Sequence, residues 1–413
     1  MMLRLLGVCL LVLAGLPIPC ARAQAVVVPA QLYNGEALAA FLRKLPTAYA
    51  VSPPVSIIQI GDSHTAGDMV TNGWRRRWQA EYGSGGRGLM AVGRPYQGYL
   101  TWGVTARESA DWAVNALFGR QHASDGAPLG LAGFTRTARR AGAWVQLAAD
   151  SPADQFDRFG LCGLTGPDQG AVRVVFGAQA RDYSFAAAAP GAACLDLAAA
   201  RPEAGASVTT LDDRPVNLTS WAATRQSGGI VLANLGVVGS RLAHFSRNTD
   251  AITGVELRAS HPDLVVIAFG TNEGFDPALH LDEAEAAIRG QVARIRTLLG
   301  YAVPILLLGP PDAASNRAEI ALPGLPETVQ CGNGWMMPGH LARIRALQLR
   351  LANELGLAFW DWQQAMGGAC ASSAWVEQGL QRGDHVHFTP LGGQVLGEAL
   401  ADDLDQARRG LPR

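Results

Sequence analysis

Lysine is almost absent from this sequence of 413 residues, since Lys44 is the only one and the other basic residues are arginines. Lysine and arginine together number 34 against 35 acidic residues, so the formal net charge at pH 7 is −1. Such a chain has no strong positive field to attract nucleic acid or anionic lipid. We therefore expect no nucleic-acid partner.

Long apolar runs are missing after the first 23 residues, so the sequence predicts no transmembrane segment in the mature chain. Residues 1–23 have the parts of a secretory signal: Arg4, an apolar run over 5–16, and a small-x-small cleavage site at 21–23. Pro17 ends the apolar run before the roughly 20 residues that a membrane anchor requires. We expect secretion across the inner membrane into the periplasm. Without residues 1–23 the mature chain has 32 basic and 35 acidic residues, so its net charge is −3.

Cysteine pairs of the Cys-x-x-Cys type are absent, which makes a metal site the weaker interpretation of the cysteines. Cys20 raises the alternative of a lipoprotein, but the prolines beside it are unfavourable for lipid attachment. The mature chain keeps an even number of cysteines, which in an exported protein favours disulfides. Of the three possible pairings we favour the one that keeps each pair within one segment of the chain, Cys162–Cys194 and Cys331–Cys370.

Short apolar runs alternate with amphipathic segments along much of the chain. The runs have the continuous hydrophobicity of strands that are buried on both faces of a parallel sheet. This alternation predicts an α/β fold, a flavodoxin-like three-layer α/β/α sandwich with a five-stranded parallel sheet. The predicted strands are 55–60, 230–235, 264–269, 304–308 and 356–360, and the predicted helices are 67–82, 279–299, 338–355 and 391–407.

The region between the first two predicted strands has a different character. Its β-rich runs, such as 143–147, 171–176 and 206–211, are separated by turn residues, which predicts an inserted all-β unit. Residues 310–337 are rich in proline and glycine and are predicted to form a long loop of the kind that is often functional. The predicted organisation is a signal peptide at 1–23, an α/β domain made of 24–99 and 229–413, and an inserted domain at 100–228.

Two distant motifs carry the chemistry. Gly61-Asp62-Ser63-His64 directly follows a predicted strand, where the Ser63 hydroxyl would be exposed near the positive end of a helix. An ordinary N-cap serine is the alternative interpretation. Near the C-terminus, Asp384-His385-Val386-His387 places an acid and a base three residues apart. Together the motifs have the parts of a Ser-His-Asp hydrolase.

Two further motifs follow the second and third predicted strands, Asn234-Leu235-Gly236-Val237-Val238-Gly239 and Gly270-Thr271-Asn272-Glu273. Ligands bind at the carboxyl ends of the strands in open α/β sheets. A glycine N–H and an asparagine amide there can stabilise an oxyanion together with the serine N–H. Taken singly, each motif is also compatible with ordinary turn chemistry.

The four motifs, in this order, resemble the conserved blocks of SGNH (GDSL-type) hydrolases. The resemblance covers residues 55–75 and 228–405. The sequence departs from the family at Val238, where a small residue is frequent, and at His64, where the family has leucine. The resemblance implies a catalytic triad of Ser63, Asp384 and His387, an oxyanion hole made by Ser63, Gly239 and Asn272, and no metal or cofactor.

Several side chains have more than one possible role in this interpretation. His385 is the rival of His387 as general base, and the family spacing Asp-x-x-His favours His387. His64 is either a contact to substrate or a buried structural histidine. Trp335 is a candidate to stack on a sugar ring. Trp102, Trp112, Trp144 and Trp221 are further candidates, and for Trp144 and Trp221 we expect core packing instead.

The residues after Ser63 carry a narrower resemblance. Thr65 to Asp68, Trp74 to Trp78 and Gly83 to Gly88 are similar to the corresponding stretches of exported bacterial peptidoglycan O-acetylesterases, which carry a carbohydrate-binding-like insert. This implies a serine esterase that removes O-acetyl groups from a polysaccharide, with peptidoglycan favoured. A polysaccharide O-acetyltransferase, a lipase or thioesterase of the same fold, and a glycan-binding module without turnover stay open as alternatives.

Overall fold

The computed structural model describes residues 32–317 and 329–412. The predicted signal peptide lies outside these residues, as does part of the predicted loop at 310–337. No helix in the described ranges has both the length and the apolar character needed to cross a bilayer. The helices are α1 (Ala39–Leu42), α2 (Ser63–Ala66), α3 (Met69–Tyr82), α4 (Asp250–Ser260), α5 (Thr271–Gly274), α6 (Leu281–Leu299), α7 (Leu341–Leu355), α8 (Trp362–Ala365), α9 (Ala371–Glu377) and α10 (Pro390–Arg409).

The strands follow the predicted runs closely, and short 3-10 helices cover Gly35–Leu38, Leu45–Ala50, Pro152–Asp154 and Leu242–Arg247. In chain order the strands are β1 (Leu32–Tyr33), β2 (Val55–Gly61), β3 (Gly86–Met90), β4 (Val104–Glu108), β5 (Ala113–Ala116), β6 (Phe134–Ala138), β7 (Trp144–Ala149), β8 (Phe156–Thr165), β9 (Ala171–Phe176), β10 (Gln179–Ser184), β11 (Gly191–Glu203), β12 (Gly205–Thr210), β13 (Val216–Thr224), β14 (Ile230–Gly236), β15 (Leu264–Ala268), β16 (Ile305–Leu308), β17 (Gln330–Gly332), β18 (Trp335–Met336) and β19 (Ala358–Trp360).

The central sheet is mixed rather than wholly parallel. Its six strands have the order β1-β19-β16-β15-β2-β14. The five strands β14, β2, β15, β16 and β19 pair in parallel in that order, as predicted, whereas β1 adds an antiparallel edge to β19. A strand of two residues has no periodicity, so the sequence gives no sign of this edge.

Helices cover both faces of this sheet because successive side chains of its strands point to opposite sides. Ile58 and Ile60 belong to one hydrophobic core, together with residues of α6 and α7. Ile57 belongs to a second core, together with Trp74 of α3 and Leu400 of α10. Two cores separated by one sheet are the mark of a three-layer α/β/α arrangement.

The β-rich region forms two further antiparallel sheets, with the orders β10-β9-β12-β7-β4 and β11-β8-β13-β6-β5. They enclose their own core, in which the Phe156 and Phe176 rings stack with their centroids 5.5 Å apart. Strand β3 pairs with β13 although it precedes residue 100. The domain boundaries at 100 and 228 stay a prediction.

Both predicted disulfides are present. Cys162–Cys194 joins β8 to β11, where the two cysteines face each other across the strand pair. Cys331–Cys370 joins the β17–β18 hairpin to the residue before α9. Asp312, buried beside this second disulfide, accepts hydrogen bonds from the Cys370 and Ser372 N–H groups at 3.2 and 2.9 Å. The described part of the 310–337 loop is thus fastened to the α/β unit.

Strand register brings the motifs to one edge of the sheet. Gly61 at the end of β2 lies opposite Gly236 in β14 and opposite Ala268 in β15. The segments that leave these three strands therefore start side by side. A side chain at position 61 would collide with Thr65, whose Oγ1 would lie 2.1 Å from an added Cβ, so this tight exit requires glycine.

Candidate active site

Ser63 is the first residue of α2, and only Asp62 separates it from the end of β2. Asp62 caps the helix, because its Oδ1 accepts a hydrogen bond from the His64 N–H at 2.9 Å. A carboxylate at this position satisfies a helix N–H that would otherwise have no partner. The Ser63 hydroxyl is half-buried at the carboxyl edge of the sheet.

Ser63, His387 and Asp384 form a continuous hydrogen-bonded chain across 324 positions of sequence. Ser63 Oγ lies 3.0 Å from His387 Nε2, and His387 Nδ1 lies 2.8 Å from Asp384 Oδ2. Both distances are within hydrogen-bonding range. The chain can pass a proton from the hydroxyl to the imidazole while the carboxylate fixes the orientation of the ring.

Asp384 is anchored by the backbone of its own turn. Its Oδ1 accepts hydrogen bonds from the N–H groups of Val386 and His387, at 3.0 and 2.9 Å. Partial burial would raise the pKa of Asp384, but the hydrogen bonds from His387 and Val386 outweigh burial and hold the pKa below its usual value. Asp384 is therefore a carboxylate at neutral pH.

His385 points away from Ser63. Its ring stacks on the Trp335 ring with the centroids 3.6 Å apart, and it is 8% exposed. The backbone of His385 has a positive φ of 57°, so the chain turns sharply between the two histidines. Trp335 thus packs against this turn and is not among the residues that line the cavity at Ser63.

His64 is largely buried, with 5% of its surface exposed. Its Nδ1 lies 3.2 Å from Asp62 Oδ1, and its Nε2 lies 2.9 Å from the Val386 carbonyl oxygen. Burial lowers the pKa of His64, but Asp62 and the Val386 carbonyl outweigh burial, and the net shift is upward. The side chain braces the Ser63 turn against the His387 turn, and it also lines the cavity at Ser63.

A cavity of about 320 Å³ opens at Ser63 and His387. Several of its lining residues carry no signal in the sequence motifs: Met69, Tyr96, Leu100 and Arg382. Leu100 is 37% exposed and adds an apolar part to the cavity wall. Tyr96 and Leu100 lie between β3 and β4, so the approach to the β-rich region forms part of the cavity wall.

Gly239 and Asn272 come together at the same edge. Gly239 has a φ of +74°, and an added Cβ would lie 2.9 Å from Phe118 Cε1, so the backbone and the space both favour glycine. Asn272 Nδ2 donates a hydrogen bond to the Ser240 carbonyl at 3.0 Å, which leaves the second N–H of the amide for another acceptor. Val238, 51% exposed, lines the cavity beside Gly239.

Glu273 joins the segments that carry these two residues. Its Oε1 accepts a hydrogen bond from the Leu242 N–H at 2.9 Å, and its Oε2 accepts one from the Gly270 N–H at 3.1 Å. Burial, only partly opposed by these hydrogen bonds, raises the pKa of Glu273 to about 7. Glu273 had no role in the sequence-based interpretation, although it belongs to the third motif.

We expect Glu273 to make stability depend on pH. In the folded chain it keeps its proton up to a pH of about 7, whereas in the unfolded chain it ionises near its ordinary value of 4.5. The free energy of unfolding should therefore fall by about 3 kcal/mol as pH rises through this window. Urea unfolding of Glu273→Gln across the same range should lack this fall. An identical pH profile for the two proteins would contradict the expectation.

A buried charge network holds the Ser63 turn from behind. Asp68 is paired with Arg75 at 2.8 Å and with Arg87 at 3.1 Å, and it accepts the Trp102 N–H at 3.0 Å. Arg87 also donates to Asn234 Oδ1, and the Asn234 amide donates to the Thr65 carbonyl at 2.9 Å. The network thus links the Ser63 turn to β14, to β3 and to the segment before β4.

The tryptophans divide into buried and exposed ones. Trp112 and Trp221 are 7% and 1% exposed, so core packing is confirmed for Trp221. The expectation of core packing was wrong for Trp144, which is 40% exposed, because the alternation of β7 turns its side chain to the outer face. Trp102 is 38% exposed.

Within the described residues no cluster of histidine, cysteine and acidic side chains is arranged to hold a metal ion.

Comparison with known proteins relates the chain to ester hydrolases. Residues 202–395 match the GDSL-like lipase/acylhydrolase family, a segment that contains Asn272, Asp384 and His387 but begins after Ser63. No curated protein matches the chain. Among solved structures, a peptidoglycan O-acetylesterase is 27% identical with a TM-score of 0.75, and the likeness covers 92% of this chain and 99% of that one.

Two more distant structures share less. A family two carbohydrate esterase from Clostridium thermocellum is 11% identical, with coverage of 66% of this chain and 94% of that one and a TM-score of 0.26. A salicylyl-acyltransferase from a tetracycline biosynthetic pathway is 14% identical, with coverage of 73% and 94% and a TM-score of 0.30. Likenesses this weak support no argument, so the family match and the first structure carry the assignment. The chain resembles the GDSL-like lipase/acylhydrolase family over residues 202–395 and is a carboxylic ester hydrolase similar to a peptidoglycan O-acetylesterase.

Proposed function

We propose that this protein is an exported serine esterase that removes O-acetyl groups from a polysaccharide, with peptidoglycan as the substrate. The observation that carries the proposal is the hydrogen-bonded chain of Ser63, His387 and Asp384, with its 3.0 and 2.8 Å contacts. The choice of substrate is supported by the likeness over 92% of this chain to a peptidoglycan O-acetylesterase.

The reaction follows from the order of the three groups. His387 Nε2 takes the proton of Ser63 Oγ while that oxygen attacks the carbonyl carbon of the acetyl ester. Asp384 stabilises the imidazolium, which then gives the proton to the departing sugar hydroxyl. Water, deprotonated by His387, attacks the acetyl-serine and releases acetate, and the proton returns to Ser63 Oγ.

The negative charge on the carbonyl oxygen needs donors when the tetrahedral intermediate forms. We assign the N–H groups of Ser63 and Gly239 and the free N–H of the Asn272 amide to this task. The assignment of Gly239 is supported by its positive φ, which is incompatible with most side chains. The assignment of Asn272 is supported by its hydrogen bond to the Ser240 carbonyl, which fixes the amide beside Gly239. Donors held in place before the reaction stabilise the transition state most effectively.

Asn272→Ala should therefore lower kcat for a small acetyl ester by roughly 10²- to 10³-fold, as the loss of one oxyanion donor does in comparable sites. KM should change little, because the charge is absent from the ground state. Steady-state kinetics with the unaltered protein alongside checks both values. A rise in KM at constant kcat would instead assign Asn272 to ground-state binding.

Export to the periplasm is part of the proposal. It is supported by the predicted signal at residues 1–23 and by the Cys162–Cys194 and Cys331–Cys370 disulfides, since disulfides persist in oxidising compartments.

We also propose that residues 100–228 are an inserted domain between the parts 24–99 and 229–413 of the hydrolase domain. The separate core of the two antiparallel sheets supports this division.

The test is acetate release from O-acetylated peptidoglycan, measured beside the turnover of a small acetyl ester. We expect both activities in the purified protein and neither in Ser63→Ala. Activity that survives in Ser63→Ala would overturn the mechanism. Turnover of the small ester without release from peptidoglycan would keep the serine esterase and overturn the substrate.

A further inference from the structure

Trp144 occupies an unusual place for a large aromatic side chain. It lies on the outer face of the β10-β9-β12-β7-β4 sheet, with 40% of its surface exposed. Its backbone is held firmly, since its carbonyl accepts hydrogen bonds from the Ser109 N–H at 2.9 Å and from Trp112 Nε1 at 3.0 Å. An exposed tryptophan on an ordered strand contributes little to the core, and tryptophan is enriched at surfaces that bind other molecules.

Trp144 forms part of the wall of a cavity of about 670 Å³. Arg136 and Glu108 line the same cavity and are paired at 2.6 Å, and the Arg136 side chain is only 4% exposed. The second oxygen of Glu108 accepts the Arg94 N–H at 2.9 Å. The Arg94 carbonyl in turn accepts a hydrogen bond from Arg136 at 3.2 Å, so the polar part of the wall is fixed before any ligand arrives.

The cavity carries excess positive charge. Besides Arg136, it is lined by Arg94 and Arg107, and within the described ranges neither of these has a carboxylate inside 4.0 Å. Three arginines against Glu108 leave a net charge of +2. Arg107 pairs with Gln146, two positions from Trp144, so the guanidinium and the indole are diagonal neighbours on one face. Guanidinium groups bind carboxylates through two parallel hydrogen bonds.

Tyr96 connects this cavity with the one at Ser63, because it lines both. Its ring is held by Tyr99 and Phe134, with centroid distances of 5.4 and 5.9 Å. A polymer that runs across Tyr96 therefore contacts both cavities, whereas a small ester at Ser63 contacts only one of them.

We propose that the cavity lined by Trp144, Arg94 and Arg107 binds a carboxylate-bearing unit of the polysaccharide while a neighbouring unit presents its acetyl ester to Ser63. The indole covers the apolar face of the sugar, and the arginines bind the carboxylate. This inference rests on the proposed function and narrows its substrate class to acidic glycans. The carboxylate belongs either to the sugar or to a peptide attached to it.

The test compares Trp144→Ala and the double variant Arg94→Gln/Arg107→Gln with Arg181→Gln, an exposed arginine on β10 of the same sheet. Each is assayed on soluble O-acetylated peptidoglycan fragments and on a small acetyl ester. For the first two variants we expect kcat/KM on the fragments to fall roughly tenfold relative to the small ester, mainly through KM, because Trp144→Ala removes the aromatic contact and the double variant removes the guanidinium–carboxylate contacts. The effect of the double variant should shrink at high salt, and Arg181→Gln should match the unaltered protein.

Equal losses of kcat/KM on the fragments and on the small ester would mean that the substitutions damage the structure. Unchanged kinetics on both substrates would mean that the cavity binds nothing. Either result overturns the proposal. Fragments with the peptides removed test the two sources of the carboxylate, because cleavage of the amide bond to the peptide leaves a free carboxylate on the sugar. Retention of the effect shows that a carboxylate on the sugar is sufficient, and loss of the effect assigns the carboxylate to the peptide.

The outcome is separable from that of the proposed function. If peptidoglycan is not a substrate, acetylated pectin serves as an acidic polymer and acetylated glucomannan as a neutral one. If the variants lose activity on pectin alone, the result supports the carboxylate site. An equal loss of activity on both polymers overturns it. Sedimentation of Ser63→Ala with the insoluble polymer, with and without Trp144→Ala, reports binding when there is no turnover.

Discussion

Replacement of His387 by alanine should lower kcat by about 10⁴- to 10⁶-fold with little change in KM, the size of effect seen when the base of a serine hydrolase is removed. The physical reason is the 3.0 Å contact between His387 Nε2 and Ser63 Oγ. Without the imidazole no group accepts the hydroxyl proton, and the alcohol is a poor nucleophile. Single-turnover and steady-state kinetics on a small acetyl ester measure the loss.

His385→Asn is the matched control, because His385 lies two residues away and its ring stacks on Trp335 instead of approaching Ser63. Asparagine also tolerates the positive φ of 57° at this position. We expect kcat of this variant to stay within about threefold of the unaltered protein, a change of less than 1 kcal/mol in the barrier. The assignment of the base would be wrong if His385→Asn lost as much activity as His387→Ala.

Replacement of Asp68 by asparagine should destabilise the folded protein by about 3–5 kcal/mol, because it leaves buried positive charge without its counterion. The Asp68 side chain is fully buried between Arg75 and Arg87, whose own side chains are 4% and 3% exposed. Asparagine preserves the volume and some hydrogen bonds but cannot neutralise two guanidinium groups. Urea or guanidinium unfolding at pH 7 measures the change in the free energy of unfolding.

Asp182→Asn breaks an Asp–Arg pair of similar length, 2.7 Å from Arg173, with both side chains about half exposed. We expect a much smaller loss of stability there, because water already solvates both charges. A comparable loss in the two variants would show that burial is not the source of the Asp68 effect.

The Asp68 contribution should also depend on pH. Burial raises the pKa of Asp68, but Arg75 and Arg87 outweigh burial and hold the pKa below its ordinary value. The stabilisation is therefore present at neutral pH and should be lost as pH falls below about 4 toward the folded-state pKa. Asp68→Asn should not show this loss.

The central sheet was predictable because its strands are short, continuous apolar runs. Both faces of these strands are covered, so no polar residues interrupt β15, and the prediction of 264–269 differs from Leu264–Ala268 by one residue. The helices with a clear apolar stripe were equally accessible, for example α6 at Leu281–Leu299 against the predicted 279–299. Local periodicity carries this information, and it needs no long-range contact.

Helix α4 was missed for a physical reason. It contains Thr253 and Gly254, which are poor helix formers, and it buries an acid on the face where an apolar residue would be expected. That acid is Glu256. It can be fully buried because its oxygens accept hydrogen bonds from the Thr219 and Ser220 hydroxyls of β13 and from the Leu131 N–H. A helix that is stabilised by partners from distant strands does not show in its own sequence pattern.

The motifs around Ser63, Asp384 and His387 predicted the reactive groups from the sequence, because the proposed chemistry depends on residue type and on spacing within a few positions. The pairing of those groups depends on the register of β2, β14 and β15, which brings separate chain segments to one edge of the sheet. The family spacing favoured His387 over His385, and the sharp turn at positive φ gives the physical reason that the His387 ring is the one that approaches Ser63.

The proposed substrate surface is the part that only tertiary structure could suggest. Tyr96 and Leu100 line the Ser63 cavity because the segment between β3 and β4 folds back over the sheet edge. Trp144 is exposed because β7 lies near the edge of its sheet and presents its outer face to solvent. Residue type and local spacing were enough to predict the reaction, since a bond is made and broken by few atoms. Recognition of a polymer is spread over surfaces that distant segments build together, and a linear pattern holds no record of those surfaces.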